Sequence, residues 1–317
     1  IELREGLTSL GTAAFDNCAL LTEIEFPSTL TSIGSNCFSY CDGLTSVTIP
    51  ATITSLGSQA FYGCANLAEL KLLSNSKVTL GSYAFGSCSG LRTVTLPVDY
   101  DISNDPFYST SGVTTIHYTC GASGKMIDRS NISSNANYCQ NTLEYESRGS
   151  IQSIDFEEGI THIGNFLYFG GSSSLTTVTL PSTLKTIGSY AFHSTAVNGI
   201  ELPEGLTSLG TAAFDNCALL TEIEFPSTLT SIGSNCFSYC DGLTSVTIPA
   251  TITSLGSQAF YGCANLAELK LLSNSKVTLG SYAFGSCSGL RTVTLPVDYD
   301  ISNDPFYSTS GVTTIHY

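Results

Sequence analysis

Basic residues are scarce in this chain: 11 Lys and Arg stand against 26 Asp and Glu, for a net charge of −15. Nucleic acid is thereby excluded as a partner, because its phosphates are neutralised by Lys and Arg. No Arg-rich amphipathic segment offers a hold on an anionic membrane surface. No apolar run approaches the roughly 18–20 residues that a membrane helix needs, which excludes membrane insertion by that route. Histidine is also sparse. His117, His162, His193 and His316 are scattered, and the first and last occupy one position in two copies of the same sequence. There is no Gly-x-Ser-x-Gly elbow, phosphate loop or dinucleotide fingerprint, and no carboxylate pair is singled out by spacing. An enzyme, a catalytic residue, a cofactor and a metal centre therefore all lack support. Charged residues make up only 12% of the chain against 42% hydrophobic, a balance that excludes a disordered polymer. The chain starts at Ile1 without a signal peptide, so any export signal is absent or already removed.

What is present is a repeat. Leu44–Asn66 aligns without a gap with Leu21–Gly43, and Leu67–Gly90 follows with one extra residue. The shared frame is L-x-x-(I/V)-x-(apolar)-P-x-x-(L/I)-T-x-(I/L)-G-x-x-A-F-x-x-C, with a period of 22 to 24 residues. Periods in this range mark solenoids, whose units are too small to bury an apolar face alone. In each unit Val47 and Ile49 alternate with Ser46 and Thr48, the period of a half-buried strand. Pro50 ends the ladder because it has no N–H to donate. Gly57 allows a sharp corner. Ala60, Phe61 and Cys64 predict one face of a short helical turn pointing inward. The fold class expected is thus a repeat protein: a leucine-rich-repeat solenoid of short parallel strands with short helical or 3-10 turns. Phe15, Phe38, Phe61, Phe85 and Phe107 should form an internal column, continued by Tyr168 and Phe192.

Residues 1–118 recur as 200–317, differing only at Arg4 against Pro203. Such identity marks a recent duplication, a homogenised array or an engineered piece. Both ends fall on strands without polar caps, which reads either as a window cut from a longer array of 199-residue superunits or as a truncated chain. Three segments follow: repeats over 1–112, a non-repeat insert over 113–150, and repeats over 151–317. The insert holds a Ser/Asn-rich stretch of turn composition, Asp128–Asn141, bracketed by Cys120 and Cys139.

Ala-Phe-x-x-Cys at 14–18, 60–64 and 84–88, Leu-Thr-Ser-Ile-Gly at 30–34 and Leu-Thr-Ser-Leu-Gly at 206–210 resemble the BspA-type leucine-rich repeats of bacterial and parasitic-protist surface proteins. The match covers nearly all of the chain outside 113–150. Gly124-Lys-Met126 is similar to a segment preceding repeat blocks in some bacterial members. The frame is broken at Arg4, Leu73 and Glu157, where Pro is expected, and at Phe166–Phe169, which replaces the Ala-Phe turn. The resemblance implies a cell-surface or secreted protein that adheres to host matrix or to other cells.

Cys18, Cys41, Cys64 and Cys88 share a column, one per turn. They read as small buried apolar groups, with bridges between adjacent turns, or from Cys37 to Cys41, as the alternative. Zinc is disfavoured because no second pair lies at ligand spacing. Cys120 and Cys139, both in the polar insert, are expected to pair, closing a loop worth about 3 kcal/mol and implying an oxidising setting. Asn131 heads the one glycosylation sequon, Asn-Ile-Ser. Glu201, Glu222 and Glu224 crowd the outward strand face, and Glu2, Glu23 and Glu25 repeat the pattern. They form either a solvated acidic face or a patch for a cation or basic partner. The function expected is a non-enzymatic extracellular structural protein, assembling with itself into a filament, coat or appendage. The alternative is a cell-surface adhesin that binds other surface proteins or host matrix through its solenoid face.

Overall fold

A computed structural model of the chain describes residues 1–73, 78–100, 104–121, 123–126, 143–165, 171–272, 277–297 and 303–316. These fall into two compact units, one holding Ile1–Met126 and the residues up to Glu157, the other Glu158–Tyr317. Cys139, Asn131, Tyr168 and the Phe166–Phe169 departure lie outside the described residues.

Both units are parallel solenoids. In the first, Ser46–Ile49, Glu69–Leu72, Thr93–Pro97, Thr115–Thr119 and Ser153–Phe156 pair in chain order as one long-strand sheet. Two-residue strands at Ser9–Leu10, Ser32–Ile33, Ser55–Leu56 and Thr79–Leu80 form a second ladder. The second unit repeats the plan with long strands Ser245–Ile248, Glu268–Leu271, Thr292–Thr294 and Thr314–His316. Its short-strand ladder runs from His162–Ile163 through Thr186–Ile187, Ser208–Leu209, Ser231–Ile232 and Ser254–Leu255 to Thr278–Leu279. Strand residues alternate outward and buried, as in Ser46–Ile49, so Val47 and Ile49 face the core at 2% exposure. The corner glycine is needed for close approach. A Cβ on Gly57 would lie 2.3 Å from the backbone nitrogen of Ser35 in the preceding turn.

Around each core phenylalanine the backbone departs from expectation. The apolar spacing of Ala60, Phe61 and Cys64 predicts a short helical turn, but the only α-helix among the described residues is Leu143–Glu146. Instead, the residues two before and two after the phenylalanine are left-handed: Asn36 and Tyr40 around Phe38 have φ of 55° and 56°, and Gln59 before Phe61 has 58°. This places alternate N–H groups along the stack. Asn36, Phe38 and Tyr40 donate to the carbonyls of Ser58, Ala60 and Tyr62 in the next turn, at 3.0, 2.7 and 2.8 Å. A left-handed L-residue costs about 1–2 kcal/mol. The inter-turn hydrogen bonds and the buried ring, roughly 1.5–3 kcal/mol per phenylalanine, offset that cost. A helical turn would satisfy the same N–H groups within its own turn and leave the neighbouring turn's carbonyls without donors.

The rings stack. Phe15, Phe38, Phe61, Phe85 and Phe107 follow one another at centroid spacings of 5.0–5.6 Å in the first unit. Phe192, Phe214, Phe237, Phe260, Phe284 and Phe306 do so at 5.1–5.7 Å in the second.

The repeat frame breaks at the insert, yet the strand ladder does not. Thr115 pairs with Ser153, 38 positions later, so successive rungs here are separated by an enlarged turn in chain length. Its described end is fastened to the stack. The buried Glu144 carboxylate accepts the hydroxyls of Tyr100 at 2.8 Å and Tyr118 at 2.5 Å. Ser147 and Ser150 donate to the carbonyls of Thr110 and Ser111, both at 2.7 Å. Ser109 sits two after Phe107, and its backbone acts to lower the Glu146 carboxyl, against the larger effect of burial.

Candidate interaction groove

Glu201, Glu222 and Glu224 come together in the second unit. With Val178, Thr179, Leu180, Gly199, Ile200 and Leu202 they line a groove of about 750 Å³ on the long-strand face. The cause lies in the ladder. Between Thr177–Thr179 and Ser245–Ile248, the turns through 199–202 and 222–226 form no strand. Under them Val178, Ile200 and Ile223 are 7–9% exposed, against 2% for Val246 in a paired strand. Paired strands carry Ser or Thr here, or a Glu with its own Lys, whereas these two turns carry carboxylates without a Lys beside them. In the first unit the equivalent Glu2 and Glu25 oppose each other in an isolated parallel bridge. Two like charges about 5 Å apart repel by about 1 kcal/mol in water and about 3 kcal/mol at a protein surface. A ladder hydrogen bond contributes a net of only about 0.5–1.5 kcal/mol. The repulsion is thus comparable to what a ladder hydrogen bond contributes and weakens the pairing, which in the first unit is reduced to that single bridge. On neighbouring turns charges are matched instead, Lys270 lying 2.9 Å from Glu268 and Lys71 2.8 Å from Glu69.

The cysteine column has a different chemistry from the groove. Among the described residues no two cysteines are bridged to each other, and those of the repeat column are free thiols. Cys41, Cys64 and Cys88 each donate from Sγ to the carbonyl of the phenylalanine one turn back: Phe15, Phe38 and Phe61, all at 3.2 Å. Cys18, in the first turn, is half-buried. The donor role escaped the sequence reading, although the signal was there. At two positions where the frame replaces Cys, Thr110 and Thr309, the hydroxyls donate to Phe85 and Phe284 at 2.9 and 2.8 Å, while Thr195 donates to Phe192 of its own turn at 2.9 Å. Burial pushes the thiols of Cys37 and Cys41 up to about 11 and that of Cys88 to about 12, and raises Cys64 as well. Such thiols are poor nucleophiles at neutral pH. No group of three His, Cys, Asp or Glu side chains able to hold a metal ion occurs among the described residues. No helix among them is long and apolar enough to cross a membrane.

Stacked parallel turns with a leucine-rich frame define a leucine-rich-repeat solenoid. The model of the BspA type leucine rich repeat region matches in six copies over residues 8–135, 140–267 and 212–317, and the chain belongs to that family. Among solved structures it is similar to a leucine-rich repeat protein of Bacteroides ovatus, at 23% identity over 99% of this chain and 83% of that one, with a TM-score of 0.49. A leucine-rich cell-surface protein of Faecalibacterium prausnitzii matches at 20% identity over 100% of this chain and 89% of its own, with a TM-score of 0.36. The pneumococcal vaccine antigen PcpA matches at 18% identity over 99% and 73%, with a TM-score of 0.42. No curated protein matches the sequence.

Two outcomes follow from the thiol column. Cys64→Thr should leave stability within about 1 kcal/mol of the parent, whereas the isosteric Cys64→Val should cost about 1–2 kcal/mol, because the Phe38 carbonyl loses a donor; urea unfolding measures both. The second concerns alkali. An ordinary thiol titrates near 9.0, so below that pH both folded and unfolded chains hold their protons and the column has no effect on pH dependence. Between there and about 11–12 the unfolded chain releases protons that the folded one keeps, and stability falls with rising pH. Each such thiol contributes about 1.4 kcal/mol per pH unit. Thermal midpoints measured from pH 8 to 11 should drop steeply (range set by these values), and replacing Cys41, Cys64 and Cys88 by Thr should flatten the fall.

Proposed function

We propose that this chain is a non-enzymatic, surface-displayed binding scaffold whose long-strand face docks basic segments of another protein. The observation that carries this reading is the groove at Glu201, Glu222 and Glu224, where carboxylates meet an apolar floor of Val178, Leu180 and Ile200. A chain with 11 basic residues has little of its own to offer such a groove, which favours a different molecule over a second copy as its occupant. Membership in a family of surface repeats supports display outside the cell. A Cys120–Cys139 bridge and a glycan on Asn131 belong to the same proposal. A second reading, a structural array, is favoured by the recurrence of 1–118 as 200–317. Uniform turns that match one another suit a repeating fibre or coat.

The groove is tested with an oligolysine peptide at low salt. Glu201→Gln, Glu222→Gln and Glu224→Gln together should weaken binding about tenfold, and added salt should erase the difference. Neutralising Glu69, Asp155 and Glu268 removes the same charge elsewhere and should leave affinity nearly unchanged; equal losses in both triple variants would reject the groove. For the second reading, electron micrographs of the purified chain should show regular filaments, and single particles at all concentrations would remove it.

A further inference from the structure

The turn around the core phenylalanine carries a row of tyrosines that the acidic groove does not use. In the first unit Tyr40, Tyr83 and Tyr108 are 51%, 38% and 48% exposed, and Tyr62 lies between them, half-buried. Tyr40 meets Tyr62 edge-on at 5.7 Å, and Tyr83 meets Tyr108 at 5.0 Å. The rings thus form two pairs, and glycine leaves room beside each. A Cβ on Gly63 would strike the Tyr40 ring at 2.7 Å, and one on Gly86 would sit 3.1 Å from both the Tyr62 ring and Tyr83. The rings are bordered by uncharged polar groups. The Asn36 amide donates to Gln59 at 3.1 Å, and the Ser87 hydroxyl to the Tyr62 hydroxyl at 3.2 Å. In the second unit the row recurs as Tyr239, Tyr261, Tyr282 and Tyr307, with edge-on and tilted contacts of 5.7 and 5.1 Å.

From these features we infer that the tyrosine row is a binding strip for a neutral glycan chain. Charge separates the candidates. The chain's net charge of −15 repels a polyanion, and the strip offers no carboxylate row to a basic peptide. What it does offer is aromatic faces and edges for the C–H faces of sugar rings, with amides and hydroxyls for their hydroxyl groups. Within each pair the ring-to-ring spacing of 5.7 or 5.0 Å is comparable to the length of one hexose unit along a chain, so two adjoining sugars can meet the two rings of a pair. A protein partner would favour buried pockets for its anchor side chains, whereas this strip is an open row. Two strips in one chain make weak single contacts effective on a polymer that reaches both.

The chain contains no tryptophan, so its ultraviolet emission comes mainly from its 16 tyrosines, and the strip variants below separate the strips' share from that of the rest. The test titrates the whole chain with soluble neutral oligosaccharides: cellohexaose, xylohexaose, laminarihexaose and mannohexaose. At least one should change the emission saturably at millimolar concentration and protect the tyrosines from nitration. Tyr83→Ala with Tyr108→Ala, and the same changes at Tyr282 and Tyr307, should weaken that binding about tenfold, while the corresponding Phe variants stay within about threefold. Matched circular dichroism and melting temperature identify variants that still fold; should an Ala variant unfold, nitration protection in the unaltered chain decides. The groove variants at Glu201, Glu222 and Glu224 should bind glycan unchanged, which keeps this strip distinct from the groove. No binding by any of the four sugars, or binding indifferent to the Ala substitutions, overturns the inference. Tyrosine-dependent capture of the oligolysine peptide in place of sugar would overturn it as well, marking the row as a protein-docking surface.

Discussion

The hydrogen bond from one turn to the next is the interaction on which every other feature depends. Two strand ladders and the left-handed loop ladder all send their N–H groups to a neighbouring turn. Few of those groups have a partner within their own turn, so a solitary turn would leave its polar backbone unpaired while exposing its apolar face. Burial and hydrogen bonding thus come only with stacking. This explains why side chains that look ordinary in sequence are tightly constrained. The corner glycine yields to the backbone of the preceding corner, and the cysteine or threonine after the phenylalanine must supply a donor.

The loop ladder adds directionality. In each regular turn three peptide units point their N–H groups toward the following turn and their carbonyls toward the preceding one. Aligned peptide dipoles sum, as they do along a helix. The Glu146 carboxyl in the first unit is lowered by the Ser109 backbone, at the side where the partial charge is positive, against the larger effect of burial. Burial raises the Glu146 carboxyl, and Asp105 is pushed up to about 6 by burial and by the Glu146 charge. The enlarged turn therefore does two jobs: it continues the strand ladder and terminates the loop ladder with a carboxylate.

Much of this was legible in the sequence, and the limits have physical causes. Alternation at Val47 and Ile49, the proline after it and the 23- to 24-residue spacing of Phe15, Phe38, Phe61 and Phe85 specify parallel turns with a stacked core. The left-handed pairs at Asn36 and Tyr40 were not legible, because Ala-Phe-x-x-Cys has the apolar spacing of a helical turn and only the partner turn diverts the N–H groups. The three glutamates could be picked out as a column, but not the opened ladder beneath them. That opening reflects a balance of about 1 kcal/mol between repulsion and pairing, which residue types alone do not decide. The tyrosine row was hidden for another reason. Its members occupy different frame positions, two after the phenylalanine at Tyr40, one after it at Tyr62 and Tyr108, two before it at Tyr83, and only the winding brings them into line.

Because each regular turn presents one set of donors and acceptors to the turn before it and the matching set to the turn after it, turns are interchangeable parts. Removing or doubling a whole number of them leaves every remaining junction chemically unaltered. Unequal recombination within the gene would then yield folded products of many lengths, whereas a break inside a turn would not. The enlarged turn through Glu144 and Glu146 is the exception, since its clamps answer to Tyr100 and Tyr118 and to no other turn. It acts as a fixed marker along an otherwise freely extensible molecule.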